Sequence, residues 1–114
     1  MLIRSQDKES LIAIDGNFVE ILKYGDLSEC SITVSTRDHS SLHVMARYSS
    51  VEKALKVLDM IQEAYAEYEI VKIFETGMGM CNTHHYNMDY VKELEKHMYA
   101  KTVFQMPEDS EVEV

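Results

Sequence analysis

The residues best able to do chemistry crowd into positions 77–86, Gly-Met-Gly-Met-Cys-Asn-Thr-His-His-Tyr. Cys81-x-x-His84-His85, with Asp89 and His97 following, offers the thiolate and imidazole ligands that suit zinc. A closed zinc site takes four ligands, however, and no second recognisable pair accompanies this one. Adjacent histidines also point in different directions on most backbones. No metal and no cofactor is therefore expected, and a metal-binding protein or metalloenzyme built on Cys81, His84 and His85 is the lowest-ranked alternative. Gly77-x-Gly79 shares its opening with the dinucleotide fingerprint, but the third glycine position holds Asn82, and Asp89 would repel a phosphate at the helix that follows. The serines lack a nucleophile elbow, and no base and acid are spaced to activate them. What remains is an adaptable contact surface, because methionines repack against more than one shape and glycines lower the cost of reshaping the backbone. Met78, Met80, His84, His85 and Tyr86 are its candidate binding residues, with Arg47 as a basic contributor.

The elements that must position this segment are legible on either side of it. Residues 49–68, SSVEKALKVLDMIQEAYAEY, place Val51, Ala54, Leu55, Leu58, Ile61, Tyr65 and Tyr68 at steps of three and four. That spacing predicts an amphipathic helix over about 50–68. Ser49 and Glu52 have the spacing of a capping box worth about 1 kcal/mol. Before it, residues 2–3, 11–14, 18–23, 30–36 and 42–47 read as strands. Asp15-Gly16-Asn17 reads as a hairpin turn, and the stretch 30–36 as a half-buried strand with Ser31, Thr33 and Ser35 on a wet side. Leu42, Val44 and Ala46 are assigned to the core, and His43, Met45 and Arg47 to the opposite face. After the helix, residues 69–75 read as a strand, 88–100 as a second helix and 102–106 as a last short strand. The fold class is α+β: an antiparallel sheet of about five to seven strands on one helix, with a second C-terminal helix. The domain runs over 1–107, and 108–114 forms an acidic disordered tail.

A chain of 114 residues, 46% hydrophobic, is one domain able to bury about two thirds of its unfolded surface. No apolar run approaches the roughly 20 residues of a membrane span, and residues 1–8 lack the apolar stretch of a secretory signal, so the expected compartment is the cytoplasm. Cys30 and Cys81 are expected as reduced thiols. The net charge is −9, of which Glu108, Asp109, Glu111 and Glu113 supply four. The remaining charge, about −5, still argues against general nucleic-acid binding, which requires Lys and Arg at the phosphates.

Three blocks carry a resemblance: Ile3-Arg4-Ser5-Gln6-Asp7-Lys8-Glu9-Ser10-Leu11, the run from Tyr48 to Gln62 and Val103-Phe104-Gln105-Met106-Pro107-Glu108-Asp109. Together they cover about a third of the chain, and they resemble small proteins of phages and prophages of Gram-positive bacteria. The resemblance implies an accessory protein of an infected or lysogenic cell, with no catalytic or binding residue to carry over. The functional expectation is a non-enzymatic binding protein that inhibits a host defence protein. The alternative is a homo-oligomeric sponge for a signalling nucleotide, which would need basic residues such as Arg4, Arg37, Arg47, Lys92 or Lys101 to converge. The expected partners are thus a host protein or a small nucleotide, with self-association.

Overall fold

The computed structural model describes residues 1–24, 29–80 and 102–114, and within 74–80 the backbone alone. Among the described residues, six strands and one long helix form an α+β domain, in the order β1 (Leu2–Arg4), β2 (Leu11–Ala13), β3 (Phe18–Lys23), β4 (Cys30–Ser35), β5 (Leu42–Tyr48), α1 (Val51–Met80) and β6 (Val103–Gln105). They make two three-stranded sheets, β2-β1-β6 and β3-β4-β5, in place of the single larger sheet expected from sequence. The division falls at residues 15–17, where a hairpin was expected. Gly16 does turn the chain with φ 77°, and Asn17 Nδ2 donates to Ala13 O at 2.8 Å. Yet β2 pairs with β1 and β3 with β4, so the turn is a corner between sheets. The first sheet is also mixed, since β6 returns parallel to β1 with Ile3 opposite Phe104.

Ser50, one residue beyond the expected Ser49, caps α1. Its Oγ accepts from Lys53 N at 3.2 Å, so the third helical position is Lys53 and the expected Ser49–Glu52 box does not form. Ala54, Val57 and Ile61 are the buried centre of the helix stripe, with Val51, Ala64, Tyr65 and Tyr68 at its margins. Val57 takes the central place assigned to Leu58, and Leu55 is half exposed. Steps of three and four both keep a residue on one side of a helix, and the sheet beneath selects between them. The helix also continues through 69–75, the expected strand, and through Gly77 and Gly79 to Met80. Ile70, Val71, Ile73 and Phe74 favour strands, but no Pro or Gly stands between Val51 and Thr76. Each added residue then extends an existing helix without a new nucleation cost.

The core lies between α1 and the two sheets, with Ile3, Ile32, Val34, Met45, Tyr48, Val57 and Met106 among its buried side chains. The expected disordered tail contributes to it. Residues Asp109–Glu111 form a 3₁₀ turn, Val112 is buried, and Asp109 Oδ1 accepts from Ser49 N at 2.8 Å and Ser49 Oγ at 3.0 Å. Lys53 Nζ donates to Asp109 O at 3.0 Å. One apolar anchor and a set of matched donors suffice to order a short acidic segment. The expected helix over 88–100 lies outside the described residues.

Candidate binding face

A bulge in β5 makes the site. Ile32 pairs with Ala46 while Thr33 pairs with Val44, which leaves Met45 as an extra residue between them. An inserted residue reverses side-chain parity along the strand. Met45 and Ala46 are consequently both buried, and Leu42 and Val44, expected in the core, face outward at 51% and 41% exposure. The bulge is held from outside the sheet: Gln6 N donates to Met45 O at 2.8 Å, and Gln6 Oε1 accepts from Arg47 N at 3.1 Å.

The outer face of β3-β4-β5 then follows from register, because paired residues project to the same side. Three rows cross it: Phe18, Ser35 and Leu42; Glu20, Thr33 and Val44; Leu22, Ser31 and Arg47. Each row is large, small, large. Phe18 and Leu22 are 45% and 40% exposed, whereas Ser31, Thr33 and Ser35 lie between the flanking side chains at 2% or less. The expected wet side of β4 is therefore buried between two rows of larger side chains, Phe18, Glu20 and Leu22 on β3 and Leu42, Val44 and Arg47 on β5. Ser31 Oγ is paired with Tyr24 Oη at 3.1 Å, and Thr33 Oγ1 donates to Glu20 O at 3.4 Å. Ser35 Oγ, also buried, finds no hydrogen-bond partner among the described residues. Leaving a buried hydroxyl unpaired costs about 1–3 kcal/mol.

A second recess, of about 310 Å³, opens at the corner between the sheets, with Asp15, Gly16, Phe18, Arg37 and Tyr65 in its wall. Tyr65 Oη donates to Asp15 Oδ1 at 3.2 Å. A hydrogen bond to Glu69, reinforced by burial and by the charges of Glu69 and Asp15, pushes the Tyr65 phenol up to about 12. It is a neutral donor at pH 7 and no base. Phe18 stacks on His39 with ring centroids 5.9 Å apart, which stiffens the rim of the recess.

The residues singled out from sequence are not gathered here. Arg47 stands on the outer face, opposite Ser31. Met78 and Met80 fall in the last turn of α1, so the Gly77-x-Gly79 stretch is helical and not the strand-to-helix turn of a dinucleotide site. His84, His85, Tyr86 and Cys81 lie outside the described residues, as do Lys92 and Lys101. Arg37 follows β4 and Arg47 pairs near its start, about 20 Å apart at the rise of a strand, so these two cations do not converge within one chain. Cys30 is buried, donates to Ser50 O at 3.4 Å, and has its thiol pushed up by that burial, which suits a packing role. Among the described residues no group of three metal-ligating side chains comes together, and no helix is long and apolar enough to cross a membrane. Phe18, Leu22, Leu42 and Val44 were missed as site residues, since nothing local in the sequence marks a bulge at Met45.

No family model, curated protein or solved structure matches this chain.

Proposed function

We propose that the protein is a non-enzymatic binding protein, a phage or prophage accessory factor that acts by occupying a host protein. The observation that carries this reading is the outer face of β3-β4-β5, where four large apolar side chains stand 40–51% exposed on one side of one sheet. Several large apolar side chains exposed on one face of a small domain, here alongside Glu20 and Arg47, are the kind of surface that serves as an interaction site. The phage context rests on the three sequence blocks given above.

The test is capture from a host lysate by the tagged full chain, compared with a Leu42→Ser/Val44→Ser variant and a Leu55→Ser control on the exposed side of α1. A captured protein should be retained by the control and lost by the face variant. It should then rebind, after purification, to the parent chain alone. Equal capture by all three chains would remove the face from the function.

A further inference from the structure

We propose that the edge of β3 receives an extended strand of the partner protein, which adds antiparallel beside Phe18–Lys23 and sets a basic side chain opposite Glu20. The inference rests on the binding reading above and names the partner's recognition element. Of the four edge strands, β2 and β6 are only three residues long. The edge of β5 is broken by its bulge and crossed by Gln6, which bonds to Met45 O and Arg47 N. β3 differs from all three. It runs six residues in unbroken register with β4, contains no Pro or Gly, and carries Glu20 and, at its end, Lys23 as its only charges. Alternate residues of an antiparallel edge strand turn their N–H and C=O outward, and among the described residues β3 pairs with β4 alone. Such an edge is a template for another strand.

The side chains of β3 select a strand as the occupant. Phe18 and Leu22 are 45% and 40% exposed on the outer face. Val19 and Ile21, on the inner face, are only half-buried, although Val34 and Ile32 opposite them on β4 are 1% and 0% exposed. Apolar surface is thus left open on both faces of one edge. A body lying on either face meets two of these four residues, whereas a strand, whose side chains alternate between faces, meets all four. Glu20 stands between Phe18 and Leu22, so Lys or Arg is the best cross-strand neighbour for it. Arg47, on β5, is two strand spacings away, about 10 Å. A second copy of this chain fits less well, because strands paired about a twofold axis must keep like faces together. Centred on Glu20, that pairing sets Glu20 against Glu20; centred on Ile21, it leaves Phe18 beyond the end of the other β3. Each copy also carries −9, so two copies repel.

The test uses a fluorescent peptide, Tyr-Val-Lys-Ile-Tyr between Ser/Gly flanks, whose order sets Lys opposite Glu20 in an antiparallel pair. Two relatives carry N-methyl groups, one on the Val and Ile amides and the other on the Tyr and Lys amides, and a third has Glu in place of Lys. Titration of the full chain should give Kd on the order of 10–100 μM for the parent peptide, the weak end expected of one added strand. One N-methylated peptide should lose at least about tenfold in affinity while the other keeps it, because only alternate amides of an added strand face its neighbour. The Glu peptide should bind about threefold more weakly, and Glu20→Lys should reverse that preference. In amide hydrogen exchange, alternate residues of β3 should exchange fast in the free chain and be protected by the peptide. Equal affinity for the two N-methylated peptides, or protection mapping elsewhere, would overturn the proposal. So would β3 amides that are all protected without peptide: in a monomer by sedimentation the chain covers its own edge, and in a dimer a second copy does. Lysate capture that depends on Leu42 and Val44, combined with no affinity for the strand peptide, would reject the strand and leave the binding reading standing. Capture that ignores the face would reject the reading itself.

Discussion

Asp38 shows how much a single side chain can organise in a loop. Its Oδ1 accepts from Thr36 Oγ1 at 2.7 Å, Ser40 Oγ at 2.8 Å and Ser40 N at 3.1 Å, which closes the turn between β4 and β5 and accommodates His39 at φ 56°. The hydroxyls of Thr36 and Ser40, followed by the Ser40 amide, lower the carboxyl to about 2. Asp7, held by Ser5, and Asp109, held by the Ser49 amide, shift in the same direction. Because the native Asp38 titrates below its unfolded value of about 4, its contribution is complete above pH 4 and is lost as pH falls toward 2. Carbon-detected titration of the native protein should therefore place Asp38 near 2. Asp38→Asn should melt below the parent at pH 7 and approach it at pH 2; a constant gap across that range would refute the assignment.

At the scale of elements, the decisive features are the phase of α1 and the bulge of β5. Ile61 is 4% exposed and Leu55 is 50% exposed, although both belong to the stripe read from sequence. Ile61→Ala should cost about 2–5 kcal/mol, because it removes buried methyl groups and leaves a cavity. Leu55→Ala should change stability by less than about 0.5 kcal/mol. Urea midpoints for the two variants measure the difference, and similar midpoints would mean that the helix sits in another phase. The bulge acts the same way on β5: one inserted residue moves Leu42 and Val44 from core to surface and builds the candidate site.

For the whole molecule, the question is what joins two small sheets, since three short strands bury little by themselves. Gln6 is the central tie. Besides its bonds to β5, its Nε2 donates to Pro107 O at 3.0 Å, and Tyr48 Oη donates to the same carbonyl at 2.8 Å. The C-terminal segment then closes the helix N-terminus through Asp109 and seats Val112 in the core. Deleting residues 108–114 should accordingly lower the melting temperature, because it removes the buried Val112 and the bonds of Asp109 to Ser49 and Lys53. An unchanged melting temperature after truncation would show that the tail is dispensable, as composition alone suggested.

Local pattern determined much of this protein. The strands β1 to β5, the strand at 103–105 and the start of a long helix on an apolar stripe all follow from period and turn chemistry that neighbouring residues set among themselves. The acidic balance and the α+β class were legible for the same reason. Tertiary structure decided the rest, because those features depend on residues far apart in the chain. Whether 15–17 is a hairpin or a corner depends on β2 finding β1; whether Val57 or Leu58 is buried depends on the sheet below; whether Val112 is ordered depends on a core assembled about sixty residues earlier. The candidate site belongs to this second group. Leu42 and Val44 face outward across a bulge at Met45 that Gln6, about forty residues away in sequence, holds through Met45 O and Arg47 N, and that no local propensity encodes.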